Sequence, residues 1–90
     1  MAHVKSSLVR KLEKVLIRRF PPPAKVKLED NDGIVGVITS AEFARVETID
    51  RQDIIGDLIE THFTPDERRQ VQVIIGVTPD EETGYLAGEG

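Results

Sequence analysis

The chain has 90 residues, 12 Lys/Arg against 16 Asp/Glu, a net charge of −4 and no cysteine. A chain of this length makes one domain with a small core, burying about 60–65% of the surface its unfolded form exposes; without cysteine it has no disulfide, thiolate metal site or cysteine nucleophile. No apolar run approaches the ~20 residues of a membrane span, and Met1–Ser7 lacks the apolar segment of a signal peptide, so a cytoplasmic protein without membrane association is expected.

Met1–Lys5 reads as a frayed start. Ser6 or Ser7 offers a side-chain oxygen to a free N–H of a first helical turn. Leu8, Leu12, Val15, Leu16 and Phe20 then recur at helical spacing on one face. Arg10, Lys14 and Arg18 stand four apart on another face, where like charges repel slightly and need an acidic group or a partner to oppose them. Residues 1–27 hold eight Lys/Arg against Glu13 alone, a local charge of +7, while residues 28–90 carry −11. That split reads either as a solvated helix face balanced by acidic loops or as a patch for phosphate or an acidic partner. Pro21-Pro22-Pro23 ends the helix, because proline lacks the N–H and disfavours helix in the residue before it.

Ala24–Glu29 alternates Val26 and Leu28 with Lys25 and Lys27, the period of a half-buried strand. Asp30-Asn31-Asp32-Gly33 is a turn with an Asp-Gly pair suited to positive φ, leading into a second strand, Gly33–Thr39. That strand is apolar on both faces and belongs inside a sheet. Ser40–Ile49 is a connection that Phe43 and Val46 pin to the core. Asp50 and Asp53 resemble a capping pair opening a helix over about Arg51–Phe63. Ile55, Leu58, Ile59 and His62 share one face of it, and Gly56 suggests close packing of helix on sheet. Thr64-Pro65-Asp66-Glu67 is a capping box with proline at the first helical position, supporting a turn through Arg69. Val71–Val77 is a third strand. Strand, helix and strand within roughly forty-five residues have the spacing of a βαβ crossover. Thr78-Pro79-Asp80-Glu81 repeats the capping chemistry, and the ordered core is expected over 7–82 with a loose tail at 83–90.

Chemistry-bearing motifs are sparse. His62 reads first as a packed, hydrogen-bonded core histidine, with a ligand or a base as alternatives. Gly33-Ile34-Val35-Gly36 spells the GxxG of nucleic-acid-gripping KH loops, but it enters a strand and carries no Lys or Arg, so turn and packing explain it. Asp30, Asp32, Asp50 and Asp53 have accounts as turn formers and caps. No Ser–His–Asp, Cys–His or Walker-type pattern is present. No catalytic residue, metal site or cofactor is expected.

The order helix, strand, turn, strand, connection, helix, turn, strand resembles the BolA-like family, whose αββαβ fold is shared with class II KH domains. Val26–Gly33 is similar to the family's first strand and acidic turn. Val37–Phe43 resembles its second strand with a serine-x-x-phenylalanine segment. Arg51-Gln52 stands where the family carries an arginine-histidine pair, and Val77–Glu81 resembles the close of its third strand. The resemblance spans roughly Ser7–Glu82. It implies a single α/β domain, αββαβ, with a three-stranded mixed sheet and the helices packed on one face. Members that share a 2Fe–2S cluster with monothiol glutaredoxins use a histidine at the third strand and a histidine or cysteine from the first turn. Asp30–Gly33 and Arg68–Gln72 contain neither, and the helix-opening histidine is Gln52 here.

The resemblance implies a non-enzymatic regulatory or adaptor protein acting through protein contacts, with a glutaredoxin-like partner as the family type. The basic residues offer an alternative: DNA or RNA binding through Arg10, Lys14, Arg18 and Arg19, with Arg51, Arg68 and Arg69. Cluster sharing with a glutaredoxin ranks last, for want of ligands. A monomer or weak dimer is expected, since an uncovered strand edge can pair.

Overall fold

The structure, a computed structural model, describes residues 7–30 and 32–81. In chain order it places α1 (Ser7–Arg19), β1 (Lys25–Asp30), β2 (Ile34–Thr39), a 3₁₀ turn (Ala41–Phe43), α2 (Thr48–His62), the single turn α3 (Pro65–Arg69) and β3 (Val71–Val77). This is the expected αββαβ domain, with α3 as an added turn. The strand order is β1-β2-β3, so the all-apolar strand is central; it pairs antiparallel with β1 and parallel with β3. Asp32 (φ 57°) and Gly33 (φ 130°) supply the positive φ angles of the connecting turn.

Alternation along the strands decides which face is covered. Ile34, Ile38 and Ile74 join the core with Val26 and Leu28 at its margin, against Val9, Leu12 and Leu16 of α1 and Ile55 and Ile59 of α2. Phe20, Phe43 and Phe63, each at or just past the end of a helical segment, close the edges, and Phe20 meets Phe43 at 5.3 Å between ring centroids. Each such burial contributes about 1.5–3 kcal/mol. The helices therefore lie on one face. Val35, Val37, Val73, Ile75 and Val77 fall on the other, outside the core cluster, and no element covers that face among the described residues.

Three expectations are corrected. Helix α2 starts at Thr48, three residues before Arg51, and Asp50 sits in its first turn. The Asp50/Asp53 pair is therefore not its cap; Glu47 holds the N-cap position without a side-chain cap bond, while Ser40 caps the 3₁₀ turn by accepting from the Glu42 N–H at 3.1 Å. Gly56 does not mark close packing: a Cβ there would meet nothing within 4 Å. His62 is exposed, because Phe63 beyond it fills the core place at the helix end.

Side chains also reach the β3 edge of the sheet. Val77 O accepts from Ser40 N–H at the end of β2, so strand alternation turns the carbonyls of Ile74 and Gly76 to the outer side of β3. Both are occupied from α2, Ile74 O by the Gln52 amide at 3.1 Å and Gly76 O by Arg51 at 3.0 Å. The β3 edge is thus half-closed by side chains.

Candidate functional site

Between α1 and α2 lies a groove of about 490 Å³, lined by Lys11, Lys14, Val15, Arg18, Arg19, Leu58 and His62. Val15 and Leu58 are half-buried and pack against the core, so they form an apolar floor. The helical repeat explains the walls. Lys11, Lys14 and Arg18 are spaced i, i+3, i+7, which brings them to one face of α1 beside the Leu12/Leu16 stripe.

The cations differ in what already holds them. Lys11 donates to both oxygens of Glu67 at 2.9 and 3.1 Å and lies 4.7 Å from the centroid of the Phe63 ring. Glu67 also accepts from Thr64 N–H in the capping box, and that bond, then Lys11, lowers its pKa. Arg19 donates to Glu42 at 2.9 Å and stacks over Phe20 at 4.5 Å. Lys14 and Arg18, between these two anchored side chains, are exposed and have no ion-pair partner among the described residues.

Of the seven basic residues expected to act together, the structure brings only Lys14, Arg18 and Arg19 into this groove. Arg10 does not line it. Arg68 lies beside Asp53, Asp57 and Glu60 in a separate depression, and Arg69 is paired with Asp66 at 2.9 Å. Arg51 is a correction, since it is a structural residue rather than a surface cation. It is 9% exposed, and all five of its N–H donors are used. Nε donates to Val46 O at 2.7 Å; Nη1 donates to Gly76 O at 3.0 Å and Glu81 Oε1 at 2.7 Å; Nη2 donates to Phe43 O at 2.9 Å and Glu81 Oε2 at 3.2 Å. Glu81 in turn caps Thr78, accepting from its N–H at 2.9 Å and donating its own N–H to Thr78 Oγ1 at 3.1 Å. Its carboxyl is lowered to about 2, first by Arg51 and then by the Thr78 N–H. One cation thus ties the 3₁₀ turn, β3 and the chain after β3 to α2.

Sequence reasoning missed Lys11, His62 and the Val15/Leu58 floor as parts of one site. The i, i+3, i+7 spacing of Lys11, Lys14 and Arg18 is the signal that finds the first; the row Arg10, Lys14, Arg18 drifts around the helix by 40° per step. Nothing local marks the groove itself, which exists only once α1 and α2 share a face of the sheet. Among the described residues no three His, Cys, Asp or Glu side chains converge as a metal set would require, and no helix is long and apolar enough to cross a membrane. No protein-family model matches the chain, and no curated protein is significantly similar to it.

Proposed function

We propose that this domain is a non-enzymatic, BolA-like adaptor that works by protein–protein contact, with the α1–α2 groove as the surface it offers. The observation that carries the reading is the make-up of that groove. An apolar floor of Val15 and Leu58 lies between cations, two of them unpaired among the described residues. Apolar surface combined with a few placed charges is what a binding site needs, the first for affinity and the second for orientation. The αββαβ order is the one the family resemblance implies. A glutaredoxin-like partner fits less well than a generic protein one. Gln52, at the position of the helix-opening histidine, is engaged with Ile74 O, and an amide is a poor ligand for a soft metal centre.

Nucleic-acid binding is the second reading, favoured by the unpaired Lys14 and Arg18. All three Phe side chains are buried, at 1–4% exposure, and so offer no stacking platform. Binding through this groove would then rest chiefly on phosphate contacts, with a steep loss of affinity as salt rises. The two readings are separated by capture from a lysate with the parent domain and a Lys14→Glu/Arg18→Glu double variant. The adaptor reading expects a specific protein, retained by the parent and lost from the double variant. Capture that survives both charge reversals contradicts it; recovery of nucleic acid, released by moderate salt, favours the second reading.

A further inference from the structure

We infer that the α1–α2 groove receives an acidic amphipathic helix of a partner protein, laid between the two helices as a third. This rests on the adaptor reading above and names the chemistry of the partner.

The shape of the groove suits a helix. The groove continues into a second depression of about 330 Å³ lined by Arg19, Ile54, Asp57, Leu58, Thr61 and His62. Arg19, Leu58 and His62 line both. The apolar floor therefore runs from Val15 through Leu58 to Ile54, and the last two are one helical turn, about 6 Å, apart along α2. That is the spacing at which a helix presents its own i, i+3 and i+4 apolar side chains. The walls are helices whose backbone groups bond internally, so they present no strand edge to pair with an extended peptide. A ligand whose backbone is already satisfied suits such walls; an extended segment would leave its N–H and C=O groups to water.

The charge across the groove is asymmetric. The α1 wall is Lys11, Lys14, Arg18 and Arg19, all basic; the α2 wall holds Asp57, Thr61 and His62. Lys11 and Arg19 are partly met by Glu67 and Glu42, which leaves Lys14 and Arg18 to recognise the newcomer. These two are four residues apart, so they match a pair of carboxylates at i, i+4 on a helix running alongside. The partner helix carries acids along its α1 edge, aliphatic side chains facing the floor, and neutral or basic residues toward Asp57. A nucleic-acid strand would satisfy the cations but lay phosphate over Val15, Leu58 and Ile54, trapping apolar surface against charge.

The test uses the full chain and a synthetic, end-blocked peptide of about fourteen residues, long enough to match α1. Leucine is placed at i, i+3, i+4 and i+7, with glutamate along one flank only. Controls are the same composition scrambled and a single-stranded oligonucleotide. The patterned peptide should bind at least about tenfold tighter than the scrambled one, with amide shifts at Val15, Ile54 and Leu58. Affinity should fall about tenfold or more in the Lys14→Glu/Arg18→Glu variant. Added salt at about 0.5 M should weaken binding without abolishing it, because the floor contact is not screened. Equal binding of the scrambled peptide, shifts elsewhere, or tighter binding of the oligonucleotide overturns the inference. If the patterned peptide fails but lysate capture is still lost in the double variant, the occupant is wrong and the adaptor reading stands. If capture ignores the double variant, both fall.

Discussion

Arg51 and Arg18 are the same side chain on the two helices that flank the groove, and they are used in opposite ways. Arg51 is buried, with five hydrogen bonds to three carbonyls and a carboxylate. Arg18 is exposed and without an ion pair among the described residues. What separates them is position relative to the apolar stripe. Arg51, Ile55 and Ile59 recur every four residues, so Arg51 is drawn in with them and must be satisfied there. Arg18 falls off the Leu12/Leu16 stripe and stays in water. A buried cation is spent on the fold, while an exposed row beside an apolar floor is free for a partner.

Substitution of Arg51 is the most damaging change. Arg51→Met keeps much of the volume but leaves the Phe43, Val46 and Gly76 carbonyls without this donor and Glu81 without its partner. We expect a loss of about 3 kcal/mol or more in urea unfolding. Arg51→Lys should recover less than half, because an ammonium with three donors cannot replace a five-donor planar fork. A loss under about 0.5 kcal/mol, ordinary for a surface change, would erase the distinction. Gly76→Ala attacks the same cluster from the strand: its Cβ would lie 2.6 Å from the Phe43 ring, and overpacking of this kind costs about 1–3 kcal/mol.

The Glu81 end of the cluster is read by acid. Its carboxyl is lowered from 4.5 to about 2 in the folded state. Its contribution is therefore complete above the unfolded value and is lost as pH falls from about 4.5 toward 2. Glu81→Gln should be less stable than the parent at neutral pH, and the gap should narrow through that window. A gap that stays constant to pH 2 would mean that the charge on Glu81 is not what holds the clamp.

Much of this fold was legible from residues alone. The alternation of Val26 and Leu28, the Asp-Gly turn and the all-apolar Ile34–Ile38 run give the sheet, and the two Thr-Pro-Asp-Glu boxes form as written. The role of Arg51 was not, although its spacing from Ile55 and Ile59 carried the hint: a positive charge reads as surface until the acceptors that satisfy it are known, and those lie 5 to 30 residues away. Gly56 misled for a related reason. A glycine inside a helix suggests close packing, yet here it faces open space.

Gly56 gives the prediction of opposite sign. Gly56→Ala should stabilise the domain by up to about 1 kcal/mol, through helix propensity with no steric charge against it. Destabilisation in thermal melts would show that something packs there. The smallest stability effect belongs to the groove: Lys14→Glu/Arg18→Glu should change unfolding free energy by no more than about 0.5 kcal/mol. A larger loss would place these cations in the fold and return them to the class of Arg51.

An amide-resolved NMR titration of the labelled domain with a captured partner shows whether the α1–α2 groove is where the partner binds. Shifts should cluster at Lys14, Val15, Arg18, Ile54, Leu58 and His62, with Arg51 and its carbonyl partners unmoved. Shifts on the uncovered sheet face, at Val35, Val37, Val73 and Ile75, would contradict binding in the groove and move the binding surface to the opposite side of the molecule.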